Sequence, residues 1–286
     1  MRQLVRRRTA LEAVGFIALS VGGGRVSAQP ASGKGLLAKL QAAKTVRVGV
    51  ANQPPYSALN PDGTLTGAAP DFTHVIMTRL GIPKIEGYIG TYGQLIPGML
   101  ADRWDFVSAC LTITQARCEQ VMFCDPLVYD ADVIVSLKEN DPNPPNRLSE
   151  LATKNVTIGV QAGGADLRAI LAAGVPQDNV RQFTSDPAIL DGLLAKRVQY
   201  VLMSGSPART LIAQRHPDVA TADPVLDTPS RGSGCAFRKE DTDLYDAYQK
   251  ELRALKTSGD FAEILRKYNF DSTDAIKMTA AQACAL

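Results

Sequence analysis

The chain has 286 residues, 45% hydrophobic and 21% charged, enough apolar material for one large or two ordinary domains and too much for a long disordered chain. The first 28 residues hold five of the basic residues (Arg2, Arg6, Arg7, Arg8 and Arg25) and one acid, Glu12; without them 26 basic and 28 acidic residues remain, a net charge of −2. That balance excludes the basic excess that nucleic-acid or anionic-membrane binding requires, and two histidines with no CxxC pair argue against a zinc site, so no metal or cofactor is expected.

The arginines precede an apolar run, "AVGFIALSVGGG" (13–24), and then the small residues "VSA" (26–28). Charged, apolar, small is the order of a secretory signal with cleavage after Ala28, and the run is too short and Gly-rich to span a membrane. The stretch "RRRTALE" resembles a twin-arginine export signal; an ordinary secretory signal with an extra arginine fits the same residues. After a short helix, "KGLLAKLQAA", the β-branched run "TVRVGVA" (45–51) predicts a strand, and "NQPPYSALNPDG" a Pro-rich loop. "APDFTHVIMTRLGI" has helical spacing, with Asp71 as N-cap and Gly81 as its stop. "KIEGYIG" predicts a strand, "TYGQLIPGMLADR" a helix capped by Thr91, and "DFVSACL" (105–111) a third, apolar strand. This alternation implies a parallel sheet with helices on both faces.

"LVYDADVIVSLK" reads as a long extended stretch, and a second alternation follows. "NVTIGV" (155–160), "NVRQF" and "VQYVLM" (198–203) predict strands, with helices at "GADLRAILAAG", "DPAILDGLLAKR" and "SPARTLIAQRH" between and after them. The strand-like "GCAFR" and two final helices close the chain; with no strands of their own to cover, those helices are expected to return to the first sheet. The predicted architecture is α/β, two lobes joined by two crossing segments near 127–137 and 225–238. Residues 45–130 and 232–270 would form a discontinuous first lobe, 131–231 a second, and 271–286 a tail.

Ligands of open α/β sheets bind beyond the carboxyl ends of the strands. The loops there supply Gln53, Tyr56, Tyr92, Thr112, Arg117, Gly163, Gly164 and Ser204. An arginine fork takes a carboxylate bidentately, and tyrosine faces suit a ring or a cation. An ion pair of Arg117 with Glu119 or Asp125 is the competing reading, and Thr112 and Ser204 serve equally well as local backbone partners. Gly163-Gly164 lacks the Lys-Ser/Thr of a phosphate loop. Cys118 and Cys124, six apart, could pair or stay as free thiols, and Cys110 reads as core packing.

Taken in order, "VRVGVANQPPY", "DGTLTGAAPD", "YGQLIPGMLADRWDFVSACLTITQARCEQVMFCDP", "AKRVQYVL" and "GCAFRKEDTDLYDAYQKELRAL" resemble the family 3 periplasmic solute-binding proteins of ABC importers. "RCEQVMF" and "AFRKEDTDL" are most similar to its ectoine/hydroxyectoine-binding branch. The resemblance implies a type II periplasmic-binding-protein fold, in which a monomeric receptor closes about a hinge on a small solute and delivers it to a membrane permease. It places the carboxylate-binding arginine at Arg117 and the ring-stacking aromatics at Tyr56 and Tyr92. It also marks departures. Amino-acid-binding members carry an Asp where this chain has Ser204 and a Ser or Thr at Gly164; ectoine-type members carry an acid near Gln53 and an aromatic near Thr112. Asp166 is a substitute anion for the cationic end. The ligand implied is a carboxylate-bearing zwitterion, ectoine-like or amino-acid-like, and the alternative is a cleft enzyme of the cyclohexadienyl-dehydratase type with Asp166 as its acid.

Overall fold

A computed structural model describes residues 35–286. The expectation of an export signal at 1–28 lies outside the described residues. In chain order the first part runs α1 (Leu36–Ala43), β1 (Thr45–Val50), β2 (Ala58–Leu59), β3 (Leu65–Thr66), α2 (Ala68–Arg79), β4 (Lys84–Ile89), α3 (Tyr92–Leu100), β5 (Phe106–Thr112), α4 (Gln115–Cys118), β6 (Met122–Phe123) and β7 (Val128–Asp130). The second runs β8 (Asp132–Leu137), α5 (Leu148–Ala152), β9 (Ile158–Gln161), α6 (Asp166–Ala172), β10 (Val180–Phe183), α7 (Asp186–Leu194), β11 (Tyr200–Ser204), α8 (Gly205–Arg215) and β12 (Val219–Ala222). The chain then returns through β13 (Arg231–Phe237), α9 (Thr242–Ser258), α10 (Asp260–Arg266), α11 (Thr273–Lys277) and α12 (Ala280–Cys284).

Two sheets result. The first has the order β4-β1-β5-β13-β6, with β7 also paired to β13; the second has the order β10-β9-β11-β8-β12. The central βαβ strands are parallel (β1 with β4 and β5, β9 with β10 and β11), whereas the crossing strands β8 and β13 run antiparallel to their neighbours. Each sheet thus gains its antiparallel member from the segment that crosses between the lobes. Along β8, Ile134 packs into the core on one face and Val133 and Val135 into the core on the other, the period-two signature of a strand buried on both sides. Helices α9 and α10 pack on α2 and α1, back on the first lobe, as their lack of strands required.

Local chemistry accounts for the helix starts. Thr91 opens α3 with a capping box, its N–H donating to Gln94 Oε1 at 3.1 Å. Asp71 is not the N-cap of α2; Gly67 is, at φ +113°, and Asp71 lies within the first turn facing Lys267. A Cβ at residue 67 would fall on the backbone of Tyr56 and Ser57, so the chain takes glycine there. The Pro-rich loop holds β2 and leads into its hairpin partner β3, and β12, α4 and the two C-terminal helices are further elements with too few residues for a periodic signal.

The cysteines pair differently from the local expectation. Cys118 bonds to Cys284, not Cys124, and Cys110, Cys124 and Cys235 are buried free thiols. The bridge holds α12 against the segment carrying Arg117, aided by the Ala280 N–H donating to Asp125 Oδ1. Reduction is expected to release α12 while both sheets persist, lowering the stability of the docked tail by roughly 2–4 kcal/mol. Hydrogen exchange checks this: amides of 280–284 should exchange faster after reduction, and unchanged protection would contradict it.

Candidate functional site

The carboxyl ends of β1, β5, β9 and β11 meet where the two lobes touch. A narrow, nearly filled cavity there is lined by Gln53, Tyr56, Tyr92, Thr112, Arg117, Gln161, Gly164, Ala165, Asp166 and Ser204. Of the nine residues singled out from the sequence, eight lie on its wall; Gly163 does not, and meets Gly93 at the lobe contact instead. A neighbouring narrow chamber shares Tyr56, Thr112, Asp166 and Ser204 and adds Asp130, Ala131, Asp132, Arg231 and Ser233.

Arg117 is 6% exposed. Its Nη1 donates to the Thr112 carbonyl at 2.7 Å and its Nη2 to the Gly163 carbonyl of the other lobe at 3.1 Å. The ion pair with Glu119 or Asp125 does not form: Asp125 takes Arg253 and the Ala280 N–H instead. Among the described residues no carboxylate lies within 4 Å of Arg117, Arg168 or Arg231, which together line an outer recess beside Ala283 and Leu286. Burial holds the Arg117 guanidinium down at about 10, still charged at neutral pH, with Arg168 and Arg231 adding to the repulsion. A buried cation with spare donors and no counter-ion is built to receive an anion.

Gln53 joins the lobes. Its Nε2 donates to Gln161 Oε1 at 3.0 Å and to Asp186 Oδ2 at 2.8 Å, and its Oε1 accepts from the Tyr92 hydroxyl at 2.5 Å. The Tyr56 hydroxyl donates to Asp130 Oδ2 at 2.7 Å, and its ring stacks on Phe270, so one of its faces is already covered. Burial pushes both phenols well up, so both remain donors. Gly163, at φ +72°, brings its backbone against Gly93 across the cleft, and a Cβ there would land on the Gly93 nitrogen. Gly163 thus permits close approach of the two lobes.

The reading from sequence missed Gln161, Asp186, Asp130, Asp132 and Arg231. Asp130 and Asp132 were visible as polar positions in an otherwise apolar extended run, and Asp186 as a helix-start residue beside the Ser185 cap. Burial raises three of these cleft carboxyls. Asp166 and Asp186 are held at about 6, Asp166 further raised by Asp186 and opposed by Arg231 and Arg117, Asp186 opposed by the Gln53 amide. Asp132 is pushed to about 8, with Asp166 and Asp130 adding to burial and Arg231 opposing. Their ordinary value is 3.8. Acids with raised values bind protons in the closed arrangement that separated, solvated lobes would release. Closure without a ligand should therefore weaken as pH rises from about 4 to about 8. The expected result is a scattering radius of gyration that grows over this range; a radius independent of pH would contradict it.

The geometry agrees with the relatives of the chain. The model of the bacterial extracellular solute-binding proteins, family 3, matches residues 46–272. The probable amino-acid ABC transporter periplasmic-binding protein y4tE of Sinorhizobium fredii is 28% identical over 242 residues, 82% of this chain and 80% of its own. The L-cystine-binding protein TcyJ of Escherichia coli is 25% identical over 262 residues, 91% of this chain and 95% of its own. Among solved structures, EhuB in complex with hydroxyectoine superposes with a TM-score of 0.83 at 33% identity, covering 87% of this chain and 97% of that one. All three are solute-binding proteins, in keeping with a binding protein rather than a dehydratase. With the family model spanning most of its length and the two-lobed type II fold in place, the chain belongs to the bacterial extracellular solute-binding proteins, family 3.

Proposed function

We propose that this protein is the extracytoplasmic receptor of an ABC importer, taking a small carboxylate-bearing zwitterion between its lobes. The observation that carries the reading is Arg117, nine-tenths buried at the lobe contact, charged, and among the described residues bonded only to backbone carbonyls. A solute carboxylate would replace water around the remaining donors of that fork, and Tyr56, Tyr92 and Thr112 would surround its body. The likeness to a hydroxyectoine complex and to amino-acid and cystine receptors supports an ectoine-like or amino-acid-like ligand. Ligand contacts to both lobes stabilise the closed form, and that form engages the permease. We read residues 1–28 as the export signal, by the twin-arginine or the general secretory route, and the mature receptor as a monomer in the periplasm.

A thermal-shift screen of the mature protein tests this, using ectoine, hydroxyectoine, proline, betaines, the common amino acids and small carboxylates. A ligand selective for the native state raises the midpoint by mass action, by about 2.7 kcal/mol of stability at a hundredfold excess over Kd. Shifts with zwitterions of this class are expected; a shift only with sugars, cations or peptides would overturn the assignment.

A further inference from the structure

Arg117 answers the negative end of a zwitterion and leaves the positive end without an assigned partner. Four carboxyls stand near the cleft, and their hydrogen bonds separate them. Asp130 is used on both oxygens: Oδ2 accepts from the Tyr56 hydroxyl and the Ser206 N–H, and Oδ1 from Arg209 and the Ala131 N–H. Asp186 accepts from Gln53. Asp166 lines both chambers. Asp132 is 9% exposed, and its Oδ2 is buried with no close hydrogen-bond partner among the described residues; the Thr228 hydroxyl, itself without a close partner, favours the ionised carboxyl only weakly. Buried polar atoms are nearly always partnered, and an orphaned carboxylate oxygen is among the most costly exceptions.

The placement of Asp132 is set by the sheet. It pairs directly with Ser204 where β8 and β11 run antiparallel. Residues opposite one another in such a ladder project to the same face. The strand ends therefore present a carboxylate and a hydroxyl side by side, both on the wall of the second chamber, with Asp166 on the same wall. Arg231 also faces this chamber but makes no ion pair with either acid within 4 Å. With both acids ionised, two carboxylates face one guanidinium, so a cationic guest would take the place of the proton that Asp132 otherwise holds.

We propose that Asp132, with Asp166 and the Ser204 hydroxyl beside it, is the subsite for the positive end of the solute, an ammonium or amidinium group. This rests on the reading that the solute carboxylate docks on Arg117. It assigns to Asp132 the discrimination between zwitterions and plain carboxylates, since closing the lobes over Asp132 without a cation strands a carboxyl that must otherwise take up a proton.

The test uses the full mature chain and paired probes in isothermal titration: ectoine, hydroxyectoine and proline, against tetrahydrofuran-2-carboxylate and cyclopentanecarboxylate, which keep a ring and carboxylate and carry no cation. The wild type should prefer a zwitterion, and Asp132→Asn should weaken that zwitterion by about 30-fold or more while changing the cation-free carboxylates by less than about threefold. Equal losses for both classes, an unchanged zwitterion affinity, a wild-type preference for the cation-free probes, or no zwitterion bound at all would each overturn the proposal. Arg117→Ala run in parallel separates the two readings. If it keeps full affinity, the carboxylate reading fails by itself, and the Asp132 comparison still reports on the cation.

Discussion

Arg117→Ala is expected to abolish most solute binding while leaving the fold intact. The guanidinium is buried and has no carboxylate partner among the described residues, so nothing in either core loses a counter-ion when it goes. What the fold loses is two hydrogen bonds to carbonyls, at Thr112 and Gly163. Those are worth roughly 1–3 kcal/mol apiece when charge-assisted, and the relief of burying a cation offsets part of the cost. The ligand, by contrast, would have to bury its carboxylate unpaired. Removing one partner of a buried, hydrogen-bonded charge pair costs about 2–5 kcal/mol, roughly 30-fold to several thousandfold in Kd. Titration calorimetry checks the affinity and a thermal melt checks the fold. Wild-type affinity in the variant would contradict the account.

Gly163→Ala is expected to have a comparable effect by a different route. The residue sits at positive φ, where an L side chain costs about 1–2 kcal/mol. That loss falls on the second lobe alone. The larger effect is at the lobe contact, where the new methyl would meet the backbone nitrogen and Cα of Gly93. Backbone cannot yield as a flexible side chain can, so the lobes would be held apart and the Arg117–Gly163 and Gln53–Asp186 bonds would lengthen together. Affinity should fall at least tenfold for every ligand class alike, with a larger radius of gyration in the presence of saturating ligand. Gly164→Ala, whose added carbon would meet a carbonyl at 3.2 Å within its own loop, is the control and should close nearly normally. Equal closure of the Gly163 variant and the wild type would refute the steric role.

The contrast between these residues and Asp132 shows what the sequence makes legible. Strands such as β1 and β5 and helices such as α2 and α9 announce themselves because their apolar spacing is local. Arg117, Tyr56 and Tyr92 were found because each follows a strand end, where the topology places ligands. Asp132 and Asp186 were not, because their role depends on which distant residue ends up opposite: Ser204 across a sheet ladder in one case, Gln53 across the lobe contact in the other. The Cys118–Cys284 bridge spans 166 residues and leaves no trace in local spacing, whereas the nearer Cys124 offers a false one. Gly163 was visible as a glycine but not as a point of contact, since Gly93 lies on the other lobe.

The most direct test of the central claim is small-angle scattering of the mature protein titrated with the solute that gives the largest thermal shift. If a carboxylate on Arg117 draws the lobes together, the radius of gyration contracts in proportion to occupancy and saturates with the calorimetric Kd. A solute that binds stoichiometrically while the radius stays constant at neutral pH would contradict closure of the lobes around a ligand.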